Sequence, residues 1–399
     1  MVKTLAKTLL AACAAGIITV GMSSCDKVSA TGVLIGGTGV DDRVEMSYKY
    51  LQEGLIYSVE GDMSNEESYS FLVGADSHIA DDTGRLAEMF SIGLEHGDLL
   101  YAHLGDLADT KAEYYINTKK CVDDAKLNFA KKYLVQSEYD EDYWIDKENM
   151  EDSVKYDDIV FPFFPVVGNH DIRGTDAEAA YRSYMPKRMS AELGQKIEKT
   201  TFAFWIGKDA YIVVDFNKPD DQEIERLLEE TKLARYTFVI MHGTLLPPDE
   251  NSCRWFFHGK EKEREKRLHF RRLFAQRNVI CLCGHTHRTG IADWWGDGGR
   301  ITQFNANSVW SKKRQGEYTI LSQGPETYGE MRKNYKNDDG TPIKDELAVC
   351  EEYRPGLKTY INSPSAGSYR MKVSKRGVTI DFYAGDSQKP SAHFVIRGK

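Results

Sequence analysis

Short apolar runs alternate with amphipathic stretches along most of the chain. The apolar run 71–75 precedes residues 83–94, where apolar side chains recur at helical spacing, and a second apolar run follows at 99–104. Apolar strands joined by amphipathic helices are typical of a mainly parallel sheet with both faces buried. The alternation therefore predicts an α/β fold.

The same pattern predicts further elements. Two pairs of apolar runs are each separated by a short turn, 201–206 with 210–216 and 369–373 with 378–383, and each pair predicts a β-hairpin. Residues 323–365 are polar and rich in turn formers. The other predicted strands cover 161–167, 237–241, 278–283, 291–295 and 300–304, and the other predicted helices cover 176–184, 220–233 and 260–276.

Two inserts interrupt this alternation. The first, at about 110–158, is rich in Lys, Glu, Asp and Tyr, with a weak helical period over 111–134. It is either solvated helix and loop or a cap on the substrate side of a site. The second, at about 244–258, contains Arg254 and Trp255, and it either lines the mouth of a site or forms a plain surface loop.

Residues 1–24 have the pattern of a secretory signal. Lys3 and Lys7 form a basic segment, and the short apolar segment that follows them is too short to span a bilayer. The segment ends in Met-Ser-Ser before Cys25, which resembles a bacterial lipobox with methionine as a loose fit at its start. This resemblance predicts an acylated Cys25 that anchors the protein to a membrane outside the cytoplasm, whereas the alternative is an ordinary cleaved signal.

Beyond the signal, residues 25–45 are predicted to form a tether and residues 46–399 the folded domain. The formal net charge is −9, and removal of the two signal lysines would take it to −11. Non-specific nucleic-acid binding depends on Lys and Arg that neutralise phosphates. The acidic balance therefore argues against nucleic-acid partners and favours small substrates.

Potential metal ligands follow five of the apolar runs. Open α/β sheets carry their functional groups at the carboxyl ends of their strands, so side chains at these positions are expected to meet at one edge. Each fragment alone is a weak signal, because a His or Asp after an apolar run is common. The fragments are Asp76-Ser-His78, Gly105-Asp106-Leu-Ala-Asp109, Gly168-Asn169-His170-Asp171, His242-Gly243 and Gly284-His285-Thr-His287.

Taken together and in this order, the five fragments resemble the motifs of the calcineurin-like metallophosphoesterase superfamily. The resemblance covers roughly residues 70–304 and leaves both inserts unexplained. It implies a four-layer αββα sandwich of two mixed β-sheets. It also implies hydrolysis of phosphoric monoesters or diesters by a hydroxide that bridges two divalent metal ions.

The resemblance also assigns the ligands. Asp106 would bridge the two metals, and nitrogen and oxygen ligands suit Mn, Fe, Zn or Ni without choosing among them. The first metal would be held by Asp76, His78, Asp106 and His287, and the second by Asp106, Asn169, His242 and His285.

Six further residues have predicted roles around the metals. His170 is predicted to stabilise the leaving group, with a structural role as the alternative, and Asp171 to orient a ligand histidine. Asp109 stands where purple acid phosphatases place a metal-binding tyrosine, which disfavours that branch. Arg173 is a candidate substrate contact, as are Arg254 and Trp255 in the second insert.

Two alternatives remain open at this stage. Cys281 and Cys283, with the two histidines after them, could form a zinc site, but cysteines that alternate along a strand also pack as small apolar residues. The chain could also be a non-catalytic lipoprotein that binds phosphate ligands or captures nutrients. The intact set of ligands favours the hydrolase.

Overall fold

The first strand, Ser68–Gly74, becomes fully buried over its second half, where Phe71, Leu72 and Val73 follow one another. A computed structural model of the chain describes residues 68–79, 84–107, 117–148, 153–155, 163–173, 178–179, 181–182, 197–246, 263–309, 318–329, 344–384, 387 and 389–398. The predicted signal, the tether, Cys25, Asp109, Arg254 and Trp255 lie outside these residues, as does most of the helix predicted over 176–184.

The helices and strands follow one another in a mixed order. The helices are α1 Gly84–Glu95, α2 Asn117–Tyr133, α3 Asp221–Glu230, α4 Arg264–Gln276 and α5 Lys344–Tyr353. The strands of the first half are β1 Ser68–Gly74, β2 Tyr101–His103, β3 Leu134–Gln136, β4 Tyr143–Asp146, β5 Ser153–Lys155, β6 Phe163–Pro165, β7 Phe202–Ile206, β8 Asp209–Val213 and β9 Thr237–Ile240. The later strands are β10 Ile280–Cys283, β11 Thr289–Gly296, β12 Gly299–Asn305, β13 Ser322–Gln323, β14 Leu357–Ser363, β15 Gly367–Ser374, β16 Gly377–Ala384 and β17 Ala392–Gly398.

Two mixed sheets form the body of the fold. The six-stranded sheet has the order β17-β16-β15-β1-β2-β6, in which β1, β2 and β6 are parallel neighbours and the other pairs are antiparallel. The eight-stranded sheet has the order β13-β14-β11-β12-β10-β9-β8-β7, with a parallel centre from β12 to β8. The predicted α/β class with two mixed sheets is therefore confirmed.

The two sheets pack face to face through aromatic side chains. Phe71 of β1 contacts Tyr211 of β8 and Phe238 of β9, with ring centroids 5.8 and 6.4 Å apart. Farther along, Phe304 of β12 packs on Tyr369 of β15 at 5.1 Å. Burial of such rings provides much of the hydrophobic stabilisation between the layers.

Helices cover the outer faces of both sheets. On the six-stranded sheet, α1 places Phe90 against Tyr101 of β2, with ring centroids 5.1 Å apart. On the eight-stranded sheet, α3, α4 and α5 bury their apolar faces in one cluster that includes Leu227, Phe270 and Tyr353. This arrangement gives the four predicted layers.

Cys281 and Cys283 belong to that same outer cluster and are completely buried. Their side chains therefore pack with α3 and α4, and burial raises the pKa of both thiols. No metal-ligand cluster in the described part of the chain includes a cysteine. The structure supports the core interpretation of these two residues and gives the zinc alternative no support.

The first insert has structure of its own. Helix α2 packs on α1, and β3, β4 and β5 form a small antiparallel sheet. Its core consists of Ala130, Leu134 and Trp144. Among the described residues, no helix is both long enough and apolar enough to cross a membrane.

Candidate active site

The predicted ligands come from loops at one edge of both sheets. The loops after β1, β2 and β6 belong to the six-stranded sheet, and the loops after β9 and β10 belong to the eight-stranded one. These five loops carry Asp76 and His78, Asp106, Asn169 and His170, His242, and His285 and His287, respectively.

Backbone hydrogen bonds join these loops to one another. The amides of Asp76 and His78 donate to the carbonyls of Gly105 and Asp106 over 2.9 and 3.1 Å. His242 accepts at its carbonyl from the Gly284 amide at 3.0 Å. These bonds join the loops in pairs within each sheet, and the His285 amide links the two sheets by donating to Asp76 Oδ2 at 2.9 Å.

Two glycines allow this close approach. A Cβ atom on Gly105 would lie 2.5 Å from His242 Nδ1, and one on Gly168 would lie 2.1 Å from the Asp106 amide nitrogen. Gly105 also has a φ of 96°, which disfavours residues with a side chain. The glycines of the Gly-Asp and Gly-Asn-His-Asp fragments are thus required by the packing of the ligand loops.

Five candidate ligands have positive φ values, although none is glycine. The values are 52° for Asp76, 44° for His78, 52° for Asp106, 68° for His285 and 49° for His287. This left-handed conformation is unfavourable for residues with a side chain and persists only where surrounding structure holds it. Such strain concentrates at functional sites.

The side chains form three overlapping clusters, and within each cluster the potential ligand atoms all lie within 4.8 Å of one another. The clusters are Asp76 with His78 and His287, His78 with Asp106 and His170, and Asp106 with His242 and His285. Within them, His242 Nε2 lies 3.1 Å from Asp106 Oδ2 and 3.2 Å from His285 Nδ1. His287 Nε2 lies 3.3 Å from Asp76 Oδ1 and 3.4 Å from His78 Nε2. Nitrogen and oxygen atoms thus converge on neighbouring points.

His242 has a fixed orientation. Its Nδ1 lies 2.8 Å from the Leu104 carbonyl, to which only a protonated nitrogen can donate, so Nε2 is the atom that faces Asp106. A ring nitrogen held by a backbone carbonyl is the usual partner arrangement of a metal-binding histidine.

The electrostatics of the cluster are dominated by these close pairs. Burial alone would lower the pKa of His242, but the carboxylates of Asp106 and Asp76 raise it to about 9. For Asp106 the signs are reversed: burial alone would raise the pKa of the carboxyl, but His242 beside it holds that pKa below the usual range. Burial and the neighbouring His242 lower the pKa of His285 to about 4.

The Gly168-Asn169-His170-Asp171 loop is tied to Asp106. Asp171 Oδ2 accepts hydrogen bonds from the amides of Asp106 at 2.9 Å and of Gly168 at 2.7 Å, and the His170 amide donates to Asp106 Oδ1 at 2.7 Å. In these contacts Asp171 holds the backbone of the ligand loops, whereas the sequence predicted that it orients a histidine. The His170 ring lies 4.6 Å from the His78 ring, and Arg173 is exposed at the end of the same loop.

The loop after β8 was missed by the sequence analysis. Buried Asp215 accepts from the amides of Asn217 and Lys218, both at 3.1 Å, which fixes the turn. Phe216 packs on His242 with ring centroids 5.3 Å apart, and Asn217 Nδ2 donates to the Gly168 carbonyl at 3.2 Å. The only available signal was that the apolar run 210–216 also ends on polar residues.

A family comparison agrees with this site. The model of the calcineurin-like phosphoesterase family matches residues 69–289, which is more than half of the chain and includes every candidate ligand. The chain belongs to this family. It is therefore a metallophosphoesterase, and its clustered histidines and aspartates are candidate ligands for divalent metal ions.

Solved structures resemble the chain only distantly. PhoD is 11% identical with a TM-score of 0.47, and the match covers 82% of this chain and 68% of PhoD. GAP50, the anchor in the inner membrane complex of Plasmodium, is 11% identical with a TM-score of 0.43 and coverages of 84% and 90%. A purple acid phosphatase from yellow lupin is 10% identical with a TM-score of 0.47 and coverages of 83% and 54%. A comparison with curated proteins gave no match.

Proposed function

We propose that this metallophosphoesterase hydrolyses small phosphoric esters at a centre of two divalent metal ions. The observation that carries the proposal is the pair of ligand clusters at one edge of the sheets, Asp76 with His78 and His287, and Asp106 with His242 and His285. Each cluster combines imidazole nitrogens with a carboxylate. Such mixed sets suit Mn, Fe, Zn or Ni.

The chemistry of the donor atoms fits metal ions. His242 Nε2 lies 3.2 Å from another histidine nitrogen and 3.1 Å from a carboxylate oxygen, so electron pairs of all three atoms would face one point once a metal ion replaces the Nε2 proton. Asn169 Oδ1 is buried and accepts no hydrogen bond from the part of the chain that the structure describes. A buried acceptor without a donor is costly, and a cation would relieve that cost.

The proposed roles follow the sequence motifs. Asp76, His78 and His287 would hold the first metal, and Asn169, His242 and His285 the second, with Asp106 bridging them. When bound, two such metals make a water acidic enough to act as the nucleophile and offset the charge of the phosphate oxygens.

The protein's own groups would do the rest. His170 is proposed to stabilise the departing alkoxide by donating a proton to it or by placing a positive charge beside it. The support is its position beside His78 and the hydrogen bond from its amide to Asp106. The Asp171 carboxylate keeps the Asp106 and Gly168 amides in place. The acidic net charge supports a small substrate, either a monoester or a diester.

The test is a reconstitution experiment. Metal-stripped protein is given Mn, Fe, Zn or Ni in turn, and metal content is measured together with hydrolysis of a panel of phosphomonoesters and diesters. We expect two metal equivalents per chain and hydrolysis only after metal addition. One equivalent with full activity would overturn the dinuclear centre, and no hydrolysis of any ester by protein with two metals would overturn the substrate class.

We also propose that Cys25 is acylated and that the enzyme acts outside the cytoplasm, anchored to a bacterial membrane. The support is the sequence pattern of residues 1–25. Cys25→Ser should move the protein from the membrane fraction to the soluble fraction and abolish labelling with a fatty acid. Cys13→Ser, inside the predicted signal, is the matched control and should leave both unchanged. A Cys25→Ser variant that stays labelled in the membrane fraction would refute the anchor.

A further inference from the structure

Two ligand pairs share an unusual construction. In Asp76-Ser77-His78 and in His285-Thr286-His287, the residue between the two candidate ligands is buried, with 6% of Ser77 and 4% of Thr286 exposed. Both middle residues carry a hydroxyl group. Their side chains are therefore directed into the protein, where each meets a buried polar partner.

Ser77 joins the first two ligand loops. Its hydroxyl donates to the Leu107 carbonyl at 2.8 Å, and the same oxygen lies 2.9 Å from Nε2 of His103. Because a serine hydroxyl has a single proton, His103 must be the donor in the second contact. His103 lies on β2 and is completely buried, and burial lowers its pKa to about 3, so it is neutral.

Thr286 joins the other two loops through a chain of amides. Its hydroxyl oxygen accepts from Asn305 Nδ2 at 3.3 Å, and Asn305 Oδ1 accepts from Gln303 Nε2 at 2.9 Å. Gln303 Oε1 in turn accepts from the amides of Leu245 and Leu246 at 2.9 and 2.7 Å. The Thr286 hydroxyl is thus connected to the loop that follows His242.

These two anchors coincide with the strained part of the backbone. All four residues that flank Ser77 and Thr286 have positive φ, at 52° and 44° around Ser77 and at 68° and 49° around Thr286. A strained conformation persists only when neighbouring contacts over-determine it. The two hydroxyls are the side-chain contacts at the centre of each strained tripeptide.

We propose that Ser77 and Thr286 are positioning residues whose buried hydroxyls hold the two ligand pairs in their left-handed conformation before any metal binds. This inference rests on the proposed metal centre. It assigns a role to positions that the motifs treat as spacers. Loss of either hydroxyl would let the flanking residues relax, so that their ligand atoms no longer converge.

The test removes each hydroxyl with little change of shape. Thr286→Val and Ser77→Ala are compared with Thr286→Ser, which keeps the hydroxyl. The matched control is Thr244→Val, because Thr244 is completely buried and its hydroxyl has no hydrogen-bond partner in the described residues. Metal dissociation constants are measured on stripped protein by competition with a chelator, and the melting temperature is recorded with and without metal.

We expect Thr286→Val and Ser77→Ala to bind metal about 10–100-fold more weakly, the range typical of losing a residue that orients the ligands without touching the metal. The metal-induced rise in melting temperature should shrink in both, while Thr286→Ser and Thr244→Val behave like the wild type. Should Thr286→Val fail to fold, Ser77→Ala decides the question at the other pair. Wild-type affinity in folded Thr286→Val and Ser77→Ala would overturn the inference alone, whereas a wild-type protein that binds no metal would overturn the metal centre as well.

Discussion

Charged side chains are buried at both ends of β1 and β2, but their hydrogen-bond partners differ. At the amino end, Arg370 donates to both carboxylate oxygens of Asp98, at 2.8 Å to Oδ2 and 2.5 Å to Oδ1, and Ser70 donates to the same carboxylate at 2.6 Å. At the carboxyl end, Asp76 and Asp106 face histidines whose nitrogens also face one another. The first group is an internally neutral ion pair, and the second is a cluster of candidate metal ligands.

The backbone shows the same contrast. The strand ends around Asp98 have a positive φ only at Gly97, where it carries no penalty. The loops around Asp76 and Asp106 place both aspartates and His78 in that conformation. A satisfied, unstrained ion pair is expected to contribute to folding, whereas a strained and incompletely satisfied cluster is expected to cost stability in exchange for binding.

The largest effect expected at the carboxyl end comes from Asp106→Asn. Loss of the proposed bridging carboxylate should lower turnover by several orders of magnitude and reduce the metal content, while the protein stays folded. Metal analysis, circular dichroism and the rate of ester hydrolysis measure the three quantities. Two metal equivalents with a near wild-type rate would show that Asp106 does not bridge.

His170→Ala tests the acid proposed beside that cluster. Esters with poor alkoxide leaving groups should slow by about 10²–10⁴-fold, the usual size of general acid assistance. Activated aryl esters should slow much less, because a nitrophenolate leaves without help. Rates on both ester classes and the metal content are compared with those of His170→Asn.

The outcomes of the His170 experiment separate three roles. Loss of a metal would make His170 a ligand or its support, which its cluster with His78 and Asp106 allows. Equal slowing of both ester classes, with both metals retained, would make it a residue that positions the phosphate. Only unequal slowing with both metals retained agrees with the proposed acid.

Asp98→Asn, at the amino end, is expected to have the opposite effect: the protein loses stability and keeps its rate of hydrolysis. The Asp98 side chain is fully buried and that of Arg370 is 7% exposed, so removal of one charge leaves the other buried without its partner. Breaking a buried pair in this way costs about 3–5 kcal/mol in the free energy of unfolding. Denaturant unfolding measures this loss, and the rate per folded molecule should stay at the wild-type value.

The control for Asp98→Asn is Asp140→Asn, on the exposed surface of the first insert, which should change neither quantity. If Asp98→Asn lowered the rate of the folded protein, the two ends of the strands would be coupled. If it left stability unchanged, the ion pair would not support the fold.

The sequence predicted which candidate ligands cluster better than it predicted the structure around them. Asp76, Asp106 and His242 could be brought together because each follows an apolar run that becomes a buried strand. Thr286 and Gln303 could not, because a buried hydroxyl or amide has no spacing of its own and acquires a role only through contacts between distant segments.

The same limit applies to secondary structure. Within the turn-rich stretch 323–365 the structure contains α5 and β14. Among the α5 side chains that the structure describes, Val349, Cys350 and Tyr353 are buried, and three apolar positions are hard to recognise among charged neighbours in the sequence. Strand β17 also went unpredicted, because it lies at the edge of its sheet and Ile396 alone among its residues is buried. Tertiary packing, rather than local pattern, determines these elements.

The smallest effect is expected from Cys283→Ala. This residue lies at the end of β10, two positions before His285, so a zinc site through its sulfur would make it part of the metal centre. The structure instead buries it completely in the outer core cluster. Removal of one buried atom of this size should cost roughly 1 kcal/mol in the free energy of unfolding, through a small cavity.

Metal content and turnover should not change, and Cys281→Ala, in the same cluster, should behave alike. Loss of a metal equivalent in either variant, measured on protein that unfolds with wild-type cooperativity, would support the cysteine–histidine zinc site instead.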